Sequence, residues 1–263
     1  MMKKMAGGVL AFLLVLSLTV MACAEGTFRV GVKQDVYGFG YLDEVTGEYS
    51  GMEIDLGRML AEALGYDDVE YTTVTAATRG QMLDNDELDC VIATFTIKPE
   101  RLESWDFSTP YYVDAVTVLV EDESGITDLS GLVGKTVGVS SGSTSAKALV
   151  DAMAEAGVLE EGSGDAFDPS TYAGGVSFKV FDDYPAISMA LDSGDVDAFC
   201  VDKSILANYK TEGRSFIDAS FSPQEYGVAT KKGSELSAPI EELIVTWLED
   251  GTIDAMIAEW GLE

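Results

Sequence analysis

Lys33, Arg79 and Arg101 are three of only 16 basic residues in a chain that carries 46 acidic ones, and their positions are unusual. Lys33 directly follows the apolar run RVGV. Arg79 opens a short helical pattern in TAATRGQMLDN, where a positive charge opposes the helix dipole. Arg101 lies five residues after Thr96 in VIATFTIKPER, a buried-strand pattern that turns polar at Thr94 and Thr96. Cations at such places suit an anionic ligand. Plainer readings stay open on the local patterns alone: Arg79 as a solvated surface residue, and Arg101 as a surface ion-pair partner of Glu100 or Glu103. A fourth segment, residues 140–157 (SSGSTSAKALVDAMAEAG), runs from a strand through a polar turn into an alanine-rich helix. Its main-chain amides could hold a carboxylate, with Ser143 capping the helix and Gly142 allowing close approach, or the turn could be an ordinary N-cap.

The elements that must position these residues follow from the pattern of the chain. R-V-G-V at 29–32 and T-V-G-V at 136–139 lie 107 residues apart, and L-D-x-x-E-L-D at 83–89 matches L-D-x-x-D-V-D at 191–197 at an offset of 108. Two matches at nearly one offset imply two similar lobes. Within the first half, the spacing predicts a strand over 28–32, a helix over 52–64 ending at Gly65, a strand over 69–74, a helix over 80–83 and a strand over 89–95. The helix over 52–64 rests on Met52, Leu56, Met59, Leu60, Ala63 and Leu64 falling on one face. Strand and helix in alternation predict mainly parallel sheets flanked by helices. Ligands of such sheets bind beyond the carboxyl ends of strands. Four strand ends there carry Lys33, Thr94, the 140–144 turn and Asp202.

Composition bounds the rest. At 47% hydrophobic and 24% charged the 263 residues are globular. Lys3 and Lys4 precede an apolar run over 9–20 that is too short to span a bilayer and suits a signal peptide, residues 1–24. Ala22-Cys23-Ala24 reads as a cleavage site, and Val20 to Cys23 approximates a lipobox that would place a lipid anchor at Cys23. In both readings the mature protein works outside the cytoplasmic membrane. Without its leader the chain keeps 14 basic against 46 acidic side chains, a formal charge of −32, which excludes nucleic acid as a partner. Cys90 and Cys200 lie in apolar runs and are read as free core thiols. The absence of histidine, of spaced cysteine pairs and of a phosphate-loop lysine gives no sign of a metal or other cofactor.

Taken together, the segments at 51–65 (GMEIDLGRMLAEALG), 93–101 (ATFTIKPER), 106–112 (DFSTPYY), 137–144 (VGVSSGST) and 196–209 (VDAFCVDKSILANY) resemble the family 3 extracellular solute-binding proteins of polar amino acid ABC transporters. The likeness spans essentially the whole mature chain. It is greatest to the aspartate/glutamate-binding branch, through Gly31 to Lys33, the 77–85 segment, Asp183 to Pro185 and Pro223 to Gly227. The resemblance implies an α/β, two-lobed, periplasmic-binding-protein-like fold of type II, with the ligand cleft between lobes. Residues 25–118 with 224–263 would form lobe 1 and 119–223 lobe 2, joined by strands near 116–120 and 221–228.

By the same resemblance Arg101 would clamp a ligand α-carboxylate, aided by Thr96, Ser143 and Thr144. Asp202 would receive the α-ammonium, shared with the carbonyl of Thr94. Lys33 and Arg79, with Tyr226, would hold a side-chain carboxylate. Counting Lys33, Arg79 and Arg101 against Asp202 gives a net charge of plus two, which favours L-glutamate or L-aspartate over a neutral ligand. The chain departs from the family pattern at Tyr37, at Ser140 to Ser143 and in an insertion over 160–175. The resemblance implies a monomer that captures its ligand by lobe closure and delivers it to an ABC permease driven by its ATPase. Capture of glutamine or another polar amino acid, a dehydratase activity on the same scaffold, and a sensory role are the alternatives. The capture reading implies no enzyme activity.

Overall fold

A computed structural model describes residues 26–164 and 167–262. The leader reading over 1–24, including Cys23, lies outside the described residues. The first half of the chain lays down β1 (Thr27–Val32), β2 (Asp35–Val36), β3 (Gly40–Leu42), β4 (Tyr49–Ser50), α1 (Met52–Leu64) and β5 (Asp68–Thr73). It continues through α2 (Arg79–Asp84), β6 (Cys90–Ile92), α3 (Pro99–Leu102) and β7 (Trp105–Phe107). The long β8 (Tyr112–Glu121) then leads into β9 (Thr136–Ser140), α4 (Ser145–Glu155), β10 (Ser177–Phe181), α5 (Tyr184–Asp192), β11 (Ala198–Asp202), α6 (Lys203–Ala207), β12 (Arg214–Phe216) and β13 (Phe221–Tyr226). The chain closes with β14 (Ala229–Lys231), α7 (Ser237–Glu249) and α8 (Thr252–Glu259).

Two large mixed sheets form, one in each lobe, beside a small antiparallel sheet of β2, β3 and β4. The first has the order β5-β1-β6-β14-β7 and the second β10-β9-β11-β8-β12, with β13 also on β8. At the heart of each are three parallel strands, β5-β1-β6 and β10-β9-β11. The strands added outside those trios run antiparallel. The antiparallel additions join distant parts of the chain: β13 pairs with β8 in the second sheet, and β14, which follows it in sequence, pairs with β6 and β7 in the first.

The internal repeat has a physical basis. Asp89, at the start of the strand that pairs with β1, accepts from the Arg29 amide at 2.8 Å while its own amide donates to the Arg29 carbonyl at 2.8 Å. Asp197 does the same to Thr136, again at 2.8 Å in both bonds. In both lobes, then, the last aspartate of the L-D-x-x-[E/D]-x-D unit locks the register of the central parallel pair. The glycine of each V-G-V serves packing: a Cβ on Gly31 would sit 2.7 Å from Leu88, and one on Gly138 2.5 Å from Ile187.

Apolar residues of the strands and helices form three buried clusters among the described residues, the first of which runs through both lobes. Phe28, Val30 and Val32 are wholly buried against Leu56 and Leu60 of α1 and Ile240 and Ile244 of α7. Val118, Val137 and Val139 pack with Leu149, Val150, Met153 and Cys200 in the second lobe. Both Cys90 and Cys200 are free, buried thiols. α1 spans the residues expected and stops at Gly65, whose left-handed φ of 83° ends it. Its buried face is wider than the sequence pattern implies, taking in Glu53, Ile54, Gly57 and Ala61, while Met59 and Leu64 are only partly buried. The reason is that Tyr71 of β5 packs close to Gly57 and donates its hydroxyl to the Ile54 carbonyl at 2.6 Å, drawing that side of the helix onto the sheet. The segment over 160–175 forms no helix or strand among its described residues, and its Phe167 and Tyr172 pack on Phe178 of β10.

Asp89→Ala and Asp197→Ala should each lower unfolding free energy in urea by about 1–3 kcal/mol, since each leaves strand amides short of an acceptor. Equal midpoints and slopes for variant and parent would show that the aspartates do not lock the sheets.

Candidate functional site

Arg79 begins α2, yet its side chain turns inward and is 3% exposed. Nη1 donates to the carbonyls of Ala93 at 2.6 Å and Thr94 at 3.2 Å, and the guanidinium carbon lies 3.8 Å from the centre of the Phe95 ring. Nε has no partner among the described residues. The surface reading of Arg79 is therefore wrong: the charge opposes its helix because it is held by strand-end carbonyls instead. Those carbonyls are available because Thr94 adopts a left-handed φ of 46°, turning the chain out of β6. The Thr94 amide donates to Glu53 Oε1 at 2.6 Å, and Tyr111 donates its hydroxyl to the same oxygen at 2.6 Å. Glu53 is wholly buried with Oε2 unpartnered. Burial raises its carboxyl to about 7, held back by those two hydrogen bonds and by the nearby Arg79 and Lys33 charges.

Arg101, in α3, bridges the lobes. Nη1 donates to the Thr96 carbonyl at 2.8 Å and Nη2 to the Gly142 carbonyl at 3.2 Å, with the guanidinium 4.8 Å from the Phe95 ring centre. It forms no ion pair with Glu100 or Glu103, because its side chain points into the cleft. Burial, and then the Arg79 charge, pull it down to about 9. Two guanidiniums thus share one aromatic ring, and neither has a carboxylate ion pair among the described residues.

Lys33 differs. It is 2% exposed and its ammonium lies 3.1 Å from Asp35 Oδ1, itself buried, and 4.6 Å from the Tyr184 ring centre. Burial lowers its pKa despite Asp35. Asp35 in turn accepts from the Tyr184 amide at 3.3 Å, and its carbonyl accepts from the Tyr209 hydroxyl at 3.0 Å. The count of plus two is therefore corrected: Asp35 and Glu53 join Asp202, so three carboxyl groups face three cations.

Asp202 ends β11 and is buried, and it accepts a hydrogen bond from the Tyr226 hydroxyl. Burial raises it to about 7, with the Tyr226 bond opposing and Asp114 adding to the rise. The Tyr226 ring stacks on Tyr112 at 5.8 Å, so its polar end serves Asp202. Thr96 and Thr144 donate to the same atom, Gln224 Oε1, at 2.8 and 2.9 Å, from opposite lobes. Ser143 does not cap α4: its hydroxyl donates to the Ser140 carbonyl at 2.7 Å, and the N-cap residue is Thr144, whose side chain makes no capping bond. Gly142 needs its lack of a Cβ, with φ at 73° and Ala76 and Ala77 of the other lobe 2.8 Å from where a Cβ would be.

Lys33, Arg79, Arg101 and Asp202 are thus near enough to influence one another's ionisation, and of the residues singled out as ligand contacts only Arg101, Ser143 and Thr144 line an open cavity, with Ser143 turned into its own loop. Sequence reasoning missed Asp35, Glu53, Phe95 and Gln224. Lys-x-Asp at 33–35 offered a signal for the ion pair. Glu53 offered none, because an acid in the first turn of a helix reads as complementing the dipole.

Comparison with known proteins gives concordant results. The sequence model of the bacterial extracellular solute-binding proteins, family 3, matches residues 28–263. A glutamine-binding protein of an ABC transporter from Bacillus subtilis (strain 168) is 32% identical over 241 residues, 88% of this chain and 79% of that protein. A glutamate-binding protein of Corynebacterium efficiens is 27% identical over 255 residues, covering 90% of this chain and 80% of that protein. Among solved structures, an ancestral arginine-binding protein bound to arginine superposes with a TM-score of 0.74 at 32% identity, covering 89% of this chain and 98% of that one.

Gly142→Ala should hold the lobes apart, giving a larger radius of gyration by small-angle scattering than the parent under identical conditions. Matching profiles would show that the 142 turn does not govern the approach of the lobes.

Proposed function

This chain belongs to the bacterial extracellular solute-binding proteins, family 3, and on that premise we propose that its cleft captures an acidic amino acid, L-glutamate or L-aspartate. Family membership makes it the extracytoplasmic amino acid-binding component of an ABC importer. The acidic ligand is our reading, and the observation that carries it is the pair of guanidiniums on Phe95 that lack carboxylate partners, Arg79 and Arg101. Arg79 is buried and Arg101 partly so; a buried cation without a counter-charge is costly, and a ligand with two carboxylates would serve both.

In this reading Arg101 holds the α-carboxylate, with Thr96 and the turn at Ser143 and Thr144, and Asp202 accepts the α-ammonium. Arg79 holds the side-chain carboxylate. Lys33, neutralised by Asp35, borders that pocket and lends it direction more than charge. Thr94 serves chiefly by presenting its carbonyl to Arg79, and Tyr226 by orienting Asp202. Ligand contacts to Arg79 and Arg101 on one lobe and to Thr144 and Asp202 on the other favour the closed form, because only that form makes both sets. The lobe division at 118/119 and 223/224, with hinge strands at β8 and β13, a leader at 1–24 with lipid attachment at Cys23, a monomeric state, and delivery to a permease and its ATPase complete the proposal.

One observation favours a neutral ligand such as glutamine: with Glu53 ionised, three carboxylates balance three cations before any ligand arrives. The relative from Bacillus subtilis is named for glutamine.

Calorimetric titration decides between the two. L-Glutamate or L-aspartate should bind roughly tenfold to a hundredfold more tightly than L-glutamine at neutral pH, the worth of one charge-assisted contact of about 1.5–3 kcal/mol. Arg79→Met should remove that margin while leaving the melting temperature within a few degrees of the parent. Glutamine binding as well as glutamate in the parent would overturn the acidic reading.

A further inference from the structure

Glu53 is an ionisable group buried in the first turn of α1, and the capture reading above assigns it no role. One peptide unit joins it to Arg79. The N–H of the Ala93–Thr94 peptide donates to Glu53 Oε1 at 2.6 Å, and the C=O of that same peptide accepts from Arg79 Nη1 at 2.6 Å. Carboxyl, peptide and guanidinium thus form one polarised chain, in which a change of charge at one end is felt at the other. The second donor to Oε1 is the Tyr111 hydroxyl, and Oε2 is left buried without a partner. Such an oxygen can carry a proton without breaking either hydrogen bond to Oε1.

We propose that Glu53 is a specificity-determining residue: protonated, it leaves the Arg79 charge to a ligand carboxylate, and ionised, it balances Arg79 and admits the neutral amide, so that pH sets the preference between an acidic amino acid and its amide. The proposal rests on Arg79 being the side-chain anchor. The groups that face Glu53 are Arg79 from α2, Lys33 from the end of β1, the Tyr111 phenol ahead of β8 and the Thr94 amide after β6, with Asp35 beyond Lys33. Burial brings Glu53 to about 7, inside the accessible range. The direction of the effect follows from linkage. A ligand carboxylate beside Glu53 favours its protonated form, so acidic-ligand binding takes up a proton there and weakens as pH rises through about 7. An amide adds no charge and draws no such proton. Asp202 titrates in the same range, but both ligands present it with the same ammonium, so the ratio of their affinities isolates the side-chain pocket.

The test is calorimetry on the full mature chain with two matched pairs, glutamate with glutamine and aspartate with asparagine, across about pH 6 to about pH 8.5. The affinity ratio of acid to amide should fall roughly tenfold over that range in the parent, one pK unit of coupling being one factor of ten. In Glu53→Gln, which keeps an acceptor for Thr94 and Tyr111, the ratio should stay high and flat. Titration of the parent in buffers of different ionisation enthalpy should show more proton uptake with the acid than with the amide, a readout that needs no variant. A flat ratio in the parent with tight acid binding would overturn this inference and leave the capture reading standing. A slope that persists in Glu53→Gln would place the effect on another group, Lys33 or Asp202, and overturn it likewise. Failure of both acidic amino acids to bind would overturn both.

Discussion

Arg79 enters the interior as a cation with no carboxylate ion pair among the described residues, and the arrangement around it answers to that one burial. Two main-chain carbonyls and the face of Phe95 stabilise the guanidinium. The ring contributes on the order of 1–2 kcal/mol, well short of what desolvating a full charge costs. Presenting the carbonyls requires Thr94 to hold a left-handed conformation, itself worth about 1–3 kcal/mol of strain in a β-branched residue. Glu53 receives the amide that this turn exposes, and Tyr111 supports Glu53. A first-turn acid on α1, a strand-end turn after β6 and the first residue of α2 are in this way parts of one device. With Glu53 protonated, the device keeps the positive charge of Arg79 for a ligand to use.

The second lobe supplies the complement. Asp202 lies at the end of β11 as Thr94 lies just past the end of β6, and the paired aspartates Asp89 and Asp197 fix those strands in equivalent register against β1 and β9. Arg101 and Gln224 then reach across, Arg101 to the Gly142 carbonyl and Gln224 to threonines of both lobes. A ligand held among these groups adds to contacts the lobes already make with each other, which is how a small molecule can favour the closed form.

Much of this was legible in the sequence. The offset of 107–108 residues announced two lobes, and the matched strands do end at buried polar residues, Lys33, Thr94 and Asp202. α1 was readable to its last residue because its apolar periodicity and Gly65 agree. The charge balance was not readable. Asp35 and Glu53 resemble ordinary surface acids in a chain with 46 of them, and only the packing of β1, α1 and the Thr94 turn carries them inside. The mixed character of the sheets was hidden for a related reason: β8 and β13 pair across more than a hundred residues of chain, through contacts that no local periodicity records.

The central claim is that the unpaired guanidinium at Arg79 makes this an acidic amino acid site. It is tested most directly by a thermal-shift panel of all the L-amino acids on protein refolded free of endogenous ligand. The account requires glutamate or aspartate to raise the melting temperature most. A larger rise with glutamine, arginine or another amino acid would contradict it.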